Sequence, residues 1–287
     1  MTQTPSVRHV LVGSMLRSYR EAAGYKLDDA ARILECDRSK VSRIETGQRG
    51  VRPKELRELL TEYSVATAIQ DTLTALARPR DANAWWRDYR QVLPEAYLDF
   101  AVAEGVASRI ALYAPLRIPE LLWTPEYGQA VAAADPSVPE DAEKAAVEAA
   151  VTYRGATFFD RQPDCTVILG EAALHHRVGH PDVMRAQLAH LAELSGPDYS
   201  WLTIRVLPFS AGICSAAGEC SVLQFNELSD MGLVHVAGPQ GGVCLSTPST
   251  VDAYARAFRH MSGYSLNAKQ STLRLRRLAR CQLRTDD

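Results

Sequence analysis

No stretch of the sequence approaches the ~18 unbroken apolar residues of a membrane-spanning helix. The first thirty residues lack the basic-then-apolar layout of a secretion leader, because Arg17 and Arg20 interrupt any apolar run there. A cytoplasmic protein is therefore expected. Six cysteines (Cys36, Cys165, Cys214, Cys220, Cys244 and Cys281) are scattered without a C-x-x-C pair, which argues against a zinc ribbon and a disulfide framework. There is no G-x-S-x-G elbow, no Walker loop, no dinucleotide fingerprint and no H-E-x-x-H string. These absences lead us to expect a non-enzyme without cofactor or metal. The 46% hydrophobic and 23% charged shares exclude wholesale disorder and collagen-like structure.

The net charge of −2 conceals an uneven distribution. Residues 7–66 sum to +3, and residues 38–57 alone to +5, seven basic groups facing only Glu45 and Glu55. The rest of the chain is acidic. A local basic patch suggests a polyanion as partner for that part, although a solvated helix face would look the same on charge alone.

Helical punctuation is clear in the first 66 residues. Val12, Met15, Leu16, Tyr19 and Ala23 form one stripe, and Gly24 fits a helix end. A short helix is predicted over Leu27–Leu34, with Ala30, Ala31 and Leu34 inward. Asp37 suits the N-cap of a third helix, Arg38–Thr46, its carboxylate taking free backbone N–H groups. Only Val41 and Ile44 are apolar there, so Arg38, Ser39, Ser42 and Arg43 are left outward. Pro53 opens a fourth helix carrying Leu56, Leu59, Leu60 and Tyr63. Two short helices, a three-residue turn and a thin apolar stripe describe a helix-turn-helix, in which Ala31 marks the close crossing. Arginine and serine on the outer face can read base edges in a major groove, arginine matching guanine O6 and N7.

Leu27-Asp-Asp-Ala-Ala-Arg-Ile-Leu34 followed by Arg38-Ser-Lys-Val-Ser-Arg-Ile-Glu-Thr-Gly47 resembles the Xre-type, phage-repressor-like DNA-binding domain. The resemblance implies that Arg38, Ser39 and Arg43 face bases, with Lys40 and Ser42 close to base or phosphate. It implies that Lys26, Arg49 and Arg52 hold phosphates, and that Glu45 pairs with Arg20 as a structural ion pair. Leu27 stands where such domains often carry a glutamine that touches DNA, and it cannot hydrogen-bond. Glu35 holds a turn position usually given to glycine, where a positive φ would cost ~1 kcal/mol.

Beyond residue 66, a helical linker is expected over 67–84 and an α+β domain over 85–287. A long helix is predicted from Glu95 to about Tyr113, another to Ala134, and one from Pro139 to Phe159. Further helices are predicted over 172–178, 181–194, 248–262 and 267–281. Strands are predicted at Thr166–Leu169, Leu202–Leu207, Cys220–Phe225 and Gly232–Val236. The fold class is thus mainly α: an all-α head at 1–66 and a larger α+β part with a small sheet. Trp85-Trp86, Pro119-x-Leu-Leu-x-Thr-x-x-Tyr127, Glu171-x-x-Leu-x-x-x-Val-Gly179, Gln187-Leu-x-x-Leu191 and Val206-Leu-Pro208 occur in an order similar to that of actinobacterial regulators. Those join an Xre-type head to a C-terminal domain of unknown function. Pro119-Glu-Leu-Leu-Trp-Thr124 departs from their usual Pro-Gly-Leu-Leu-Gln-Thr. The resemblance implies a transcriptional regulator of double-stranded DNA, often encoded beside a small partner protein in toxin–antitoxin-like pairs. Its C-terminal domain would sense a small molecule, bind the partner or dimerise; these alternatives stay open. A homodimer is expected from geometry, since one recognition helix reads only a few base pairs. A protein-interaction module acting mainly through a small cognate protein is the other reading.

Three constellations have sharper alternatives. Glu171, His175, His176 and His180 could form a metal or acid–base site, but capping or buried hydrogen bonding by Glu171 is the plainer role. Cys214 and Cys220 flank a Gly- and Ala-rich loop and could sense redox state, with burial as the default. Trp85, Trp86, Trp123 and Trp201 read as core aromatics. The basic tail from Lys269 alternates with Leu273, Leu275, Leu278 and Leu283, and reads as a docked amphipathic helix, with added DNA contacts as the other possibility.

Overall fold

The computed structural model describes residues 7–77, 93–134, 144–145, 147–212, 218–225, 232–238 and 241–281. The head contains α1 (Val7–Ala22), α2 (Leu27–Ile33), α3 (Arg38–Glu45), α4 (Pro53–Glu62) and α5 (Thr67–Ala77). The two predicted helix-turn-helix elements end within one residue of expectation. Leu11, Val12, Met15, Leu16, Ala30, Val41, Ile44, Leu56, Leu59 and Leu60 are all nearly inaccessible and form its core. The stretch expected to serve as a linker begins with α5, whose Ile69, Leu73 and Leu76 join that core. The remainder of the linker and Trp85-Trp86 lie outside the described residues.

The body is α+β, as the patterning led us to expect. It runs α6 (Glu95–Val106), β1 (Arg109–Ala114), α7 (Pro125–Ala133), a π-helical turn (Ala149–Arg154), α8 (Gly155–Arg161) and β2 (Asp164–Gly170). It continues with α9 (Pro181–Leu194), β3 (Leu202–Leu207), β4 (Cys220–Gln224), β5 (Gly232–Val236), β6 (Val243–Leu245), α10 (Pro248–Tyr264) and α11 (Ala268–Cys281). The strands form one mixed sheet in the order β3-β2-β1-β4-β5-β6. The β3-β2-β1 pairs are parallel and the β1-β4-β5-β6 pairs antiparallel.

Several expectations are corrected. The long helix from Glu95 stops at Val106, and residues 109–114 are β1, in the middle of the sheet. Ile110-Ala-Leu-Tyr-Ala114 is covered on both faces, so it shows no polar alternation and reads like more helix. The switch comes at Ala107, whose backbone is extended, and at Ser108, whose N–H and hydroxyl both donate to the Gln224 carbonyl at 2.9 and 3.0 Å. The edge strand β6 was not anticipated; three residues carry too little pattern. The helix expected over 172–178 is only a 3₁₀ turn, Glu171–Leu174, because the Glu171 side chain turns into the body and Gly179 (φ +62°) precedes Pro181. The helix expected to reach Phe159 passes through a π turn, which re-aims Arg154 inward; its expected start at Pro139 lies outside the described residues. The basic tail helix α11 docks on α9 and β3. Leu275 and Ser271 are fully buried, Ser271 Oγ accepts from the Val206 N–H at 3.0 Å, and the Leu266 N–H donates to the Val206 carbonyl at 2.8 Å. The free edge of β3 is thereby covered.

Head and body meet along α6, which packs on α1 and α5. Across this seam Arg8 Nε lies 2.8 Å from Asp99 Oδ1, both side chains buried.

Candidate nucleic-acid interface

Recognition by a helix requires that the helix be held rigidly while one face stays open. Val41 (0% exposed) and Ile44 (1%) anchor α3 to the core. Its end is clamped by a buried ion pair. Arg20 of α1 donates from Nε to Glu45 Oε1 at 2.7 Å and from Nη2 to Glu45 Oε2 at 2.9 Å, while its Nη1 donates to the Tyr25 carbonyl at 2.8 Å. The hydrogen bond that Arg20 donates to Glu45 holds the guanidinium above its ordinary pKa, against the desolvation that opposes it. Two glycines allow the close approach. A Cβ on Gly13 would sit 2.2 Å from the Ile44 carbonyl oxygen, and one on Gly47 (φ +72°) would meet Val10 at 2.6 Å. In the turn, Glu35 adopts φ +47°, the strained conformation that its position implied. Asp37 occupies the N-cap of α3, but its carboxylate accepts no cap hydrogen bond; the Lys40 N–H bonds the Asp37 backbone carbonyl at 2.9 Å instead.

Arg38, Ser39 and Arg43 are exposed on the open face of α3, and Ser42 is half-buried. Arg43 Nε donates to the Ser39 carbonyl at 3.2 Å, which leaves both Nη groups without a partner among the described residues. Lys40 behaves differently. Its ammonium is 2.7 Å from Glu55 Oε1 on α4, both side chains about four-fifths covered, so it ties α3 to α4 rather than facing outward. Burial alone would raise Glu55, but the Lys40 hydrogen bond and charge, helped by the Arg52 backbone N–H, hold it below the ordinary carboxylate range.

Lys26, Arg38 and Ser42 line one open groove of about 380 Å³, together with Arg17, Asp28 and Thr46. Arg17 and Thr46 escaped the sequence reading. Thr46 lies four residues after Ser42, so helical spacing alone places it on the same face. Asp28 is the unfavourable member: its carboxylate is 3.8 Å from Arg38 Nη1, both exposed. Arg49 stands apart, in a small hollow with His9, Gly13 and Val51. Arg49, Arg52 and Lys26 are exposed and form no ion pair among the described residues.

The other constellations have structural roles. Glu171 accepts from the Phe209 N–H at 2.9 Å and from Arg274 Nη2; burial would raise its carboxyl, but these bonds hold it low. His175 Nε2 is 3.9 Å from Glu171, His176 Nδ1 is 2.8 Å from the Leu116 carbonyl, and His180 turns to Asp182. Among the described residues no group of three or more His, Cys, Asp or Glu is placed to hold a metal. Cys214 lies outside the described residues, and Cys220 is buried with its thiol pushed up to about 11 by desolvation. Trp123 donates Nε1 to the Ile118 carbonyl at 2.7 Å inside the core. Fully buried Gln187 brackets the same segment, accepting from the Thr124 N–H and donating to the Leu122 carbonyl, each at 2.7 Å.

A helix-turn-helix domain matches residues 11–73, which spans the clamp and the open face just described. A domain of unknown function, DUF5753, matches residues 97–277, well over half of the chain. The chain belongs to the DUF5753 family. Its helix-turn-helix domain points to a DNA-binding regulator. No curated protein and no solved structure matches the chain. Among the described residues of this DUF5753 protein, no helix is long and apolar enough to cross a membrane.

Proposed function

We propose that this protein is a sequence-specific regulator of transcription that binds double-stranded DNA through α3 and acts by binding rather than catalysis. The reading is carried by one observation: Arg38, Ser39 and Arg43 are presented on a helix that Val41, Ile44 and the Arg20–Glu45 pair hold from behind. Arg43, with both Nη groups unengaged, is the base reader, and bidentate pairing with guanine is the chemistry that it offers. Ser39, Ser42 and Arg38 flank it. Lys26, Arg49 and Arg52 are phosphate contacts. Lys40 supports the helix from the Glu55 side.

The head is of the Xre type, and the pairing of such a head with this body fits the actinobacterial group of regulators. One α3 covers few base pairs. We therefore propose a homodimer reading two half-sites a helical turn, ~34–36 Å, apart. The acidic body is the part available to a small cognate protein, in an antitoxin-like arrangement, and the working compartment is the cytoplasm. Arg43→Ala should weaken a selected duplex by ~1–3 kcal/mol and relax base choice at one position. Arg49→Ala should weaken selected and random duplexes alike and lower the salt slope by about one unit. Fluorescence anisotropy over a salt series separates the two; identical behaviour of both variants on both duplexes would refute the assigned roles.

A further inference from the structure

The body contains a second built site, far in character from the DNA face. Leu112 on β1, Ser221 on β4 and His235 on β5 are direct cross-strand partners, so their side chains share one face of the sheet. Above them lies a cavity of about 70 Å³. A single water needs only ~10–15 Å³ of such space, so there is room for several waters or for the head of a small molecule. Phe100 of α6 stacks on His235, ring centroids 3.8 Å apart, and forms one wall.

Part of the lining is already satisfied. Arg154, aimed inward by the π turn, donates to Glu104 at 2.9 and 3.1 Å, to Tyr97 Oη at 2.8 Å and to Glu120. The other part is not. Ser221 is 5% exposed, lines the cavity, and its hydroxyl makes no hydrogen bond to any described residue. A hydroxyl that faces the cavity without a partner among the described residues is available to bond whatever occupies it. Beside Ser221, the Glu219 carboxylate accepts from Arg117 Nε at 3.3 Å and from no other side chain among the described residues. Among the described lining residues, three carboxylates (Glu104, Glu120, Glu219) face two guanidiniums (Arg117, Arg154), a formal excess of one negative charge. Consistent with this, burial, with Glu120 adding to it, holds the Glu219 carboxyl above its ordinary range despite Arg117. No three metal-type ligands converge here among the described residues, so an N–H-bearing organic cation complements the cavity better than a metal ion.

We propose that this cavity binds a small organic cation, an ammonium or guanidinium, through Glu219 and Ser221, and that α6 relays its occupancy to the DNA-binding head. The relay rests on the regulator reading; the binding does not. Tyr97, Phe100 and Glu104 place α6 against the cavity, while Asp99 on the same helix grips Arg8 of α1. A shift of α6 therefore moves the anchor of the helix that clamps α3.

The test uses the full chain at constant ionic strength. Propylammonium and propylguanidinium chloride are titrated by calorimetry, with propionate and 1-propanol as the matched anion and neutral compound. At least one cation should bind saturably, the anion and alcohol should not, and Glu219→Gln and Ser221→Val should each weaken binding at least ~tenfold. Ser221→Val adds bulk to a buried position; if circular dichroism shows that it does not fold, Glu219→Gln, nearer the mouth, decides the outcome alone. Absence of saturable binding up to about 20 mM, equal binding of propionate, or undiminished binding by the variants would overturn the site. In the second arm, the bound cation should change affinity for a selected duplex at least ~threefold in the wild type and leave Glu219→Gln unaffected. Binding without that change would overturn the relay. Failure to bind any duplex, with or without cation, would overturn the regulator reading while the calorimetry still judges the site.

Discussion

Removing Glu45 tests how the recognition helix is held. The carboxylate is 4% exposed and its partner Arg20 is 7% exposed, with paired bonds of 2.7 and 2.9 Å. In Glu45→Ala the guanidinium stays buried and keeps only the Tyr25 carbonyl and the outer oxygen of Glu21, 3.3 Å away. Stranding a buried charge costs ~3–5 kcal/mol, against ~5–15 kcal/mol for a whole domain. The exposed Arg17–Glu21 pair, 60% and 53% accessible, is the control; Arg17→Ala should leave the urea midpoint close to that of the wild type. Replacing both partners, Arg20→Met with Glu45→Leu, removes the charge along with its partner and should recover most of the loss, to within ~1–2 kcal/mol of the wild type. Urea unfolding followed by circular dichroism, with amide exchange at Val41 and Ile44 to localise the effect, measures each. If Glu45→Ala unfolded within about 1 kcal/mol of the wild type, the pair would not be the buried clamp described.

Three further outcomes follow from the same geometry. Glu35→Gly relieves a φ of +47° and should not lower stability, with a gain of up to ~0.5 kcal/mol left after the extra chain entropy of glycine, read as a shift in the urea midpoint. Asp28→Asn removes a negative charge, which repels DNA phosphates, from the groove that Lys26 and Arg38 share; it should tighten selected and random duplexes equally, by a factor that shrinks as salt rises, in anisotropy titrations. Glu171 has its folded pKa lowered by Arg274 and the Phe209 N–H. Its stabilisation is thus present above the unfolded carboxylate pKa and lost as pH falls through the folded one; Glu171→Gln should flatten the acid side of a stability–pH curve.

The head was legible in the sequence because each local signal agrees with the fold. Gly24 and Gly47 stop their helices at positive φ, Pro53 starts the next, and two apolar residues in α3 specify which face is inward. Pro181–Leu194 and Leu202–Leu207 were likewise bounded by residues that allow only one reading. β1 was not legible: a strand covered on both faces has no polar side to set its period, and its alanines favour helix as a local choice. The 3₁₀ turn at Glu171 escaped because its cause is a contact with Arg274, 103 positions away. At the DNA face, residue types identified the outward side of α3. They could not separate Lys40 from its neighbours, since its turn toward Glu55 depends on where α4 packs. Ser221 and Glu219 gave no signal at all, because the cavity exists only once three strands and α6 are assembled.

Amide chemical-shift mapping of the full chain against a duplex selected from a random pool is the most direct measurement of where this molecule meets DNA. Contact through α3 requires the largest movements at Ser39, Ser42 and Arg43, with smaller ones at Lys26, Arg49 and Arg52. Unmoved amides across 38–46, with responses confined to the body, would contradict it.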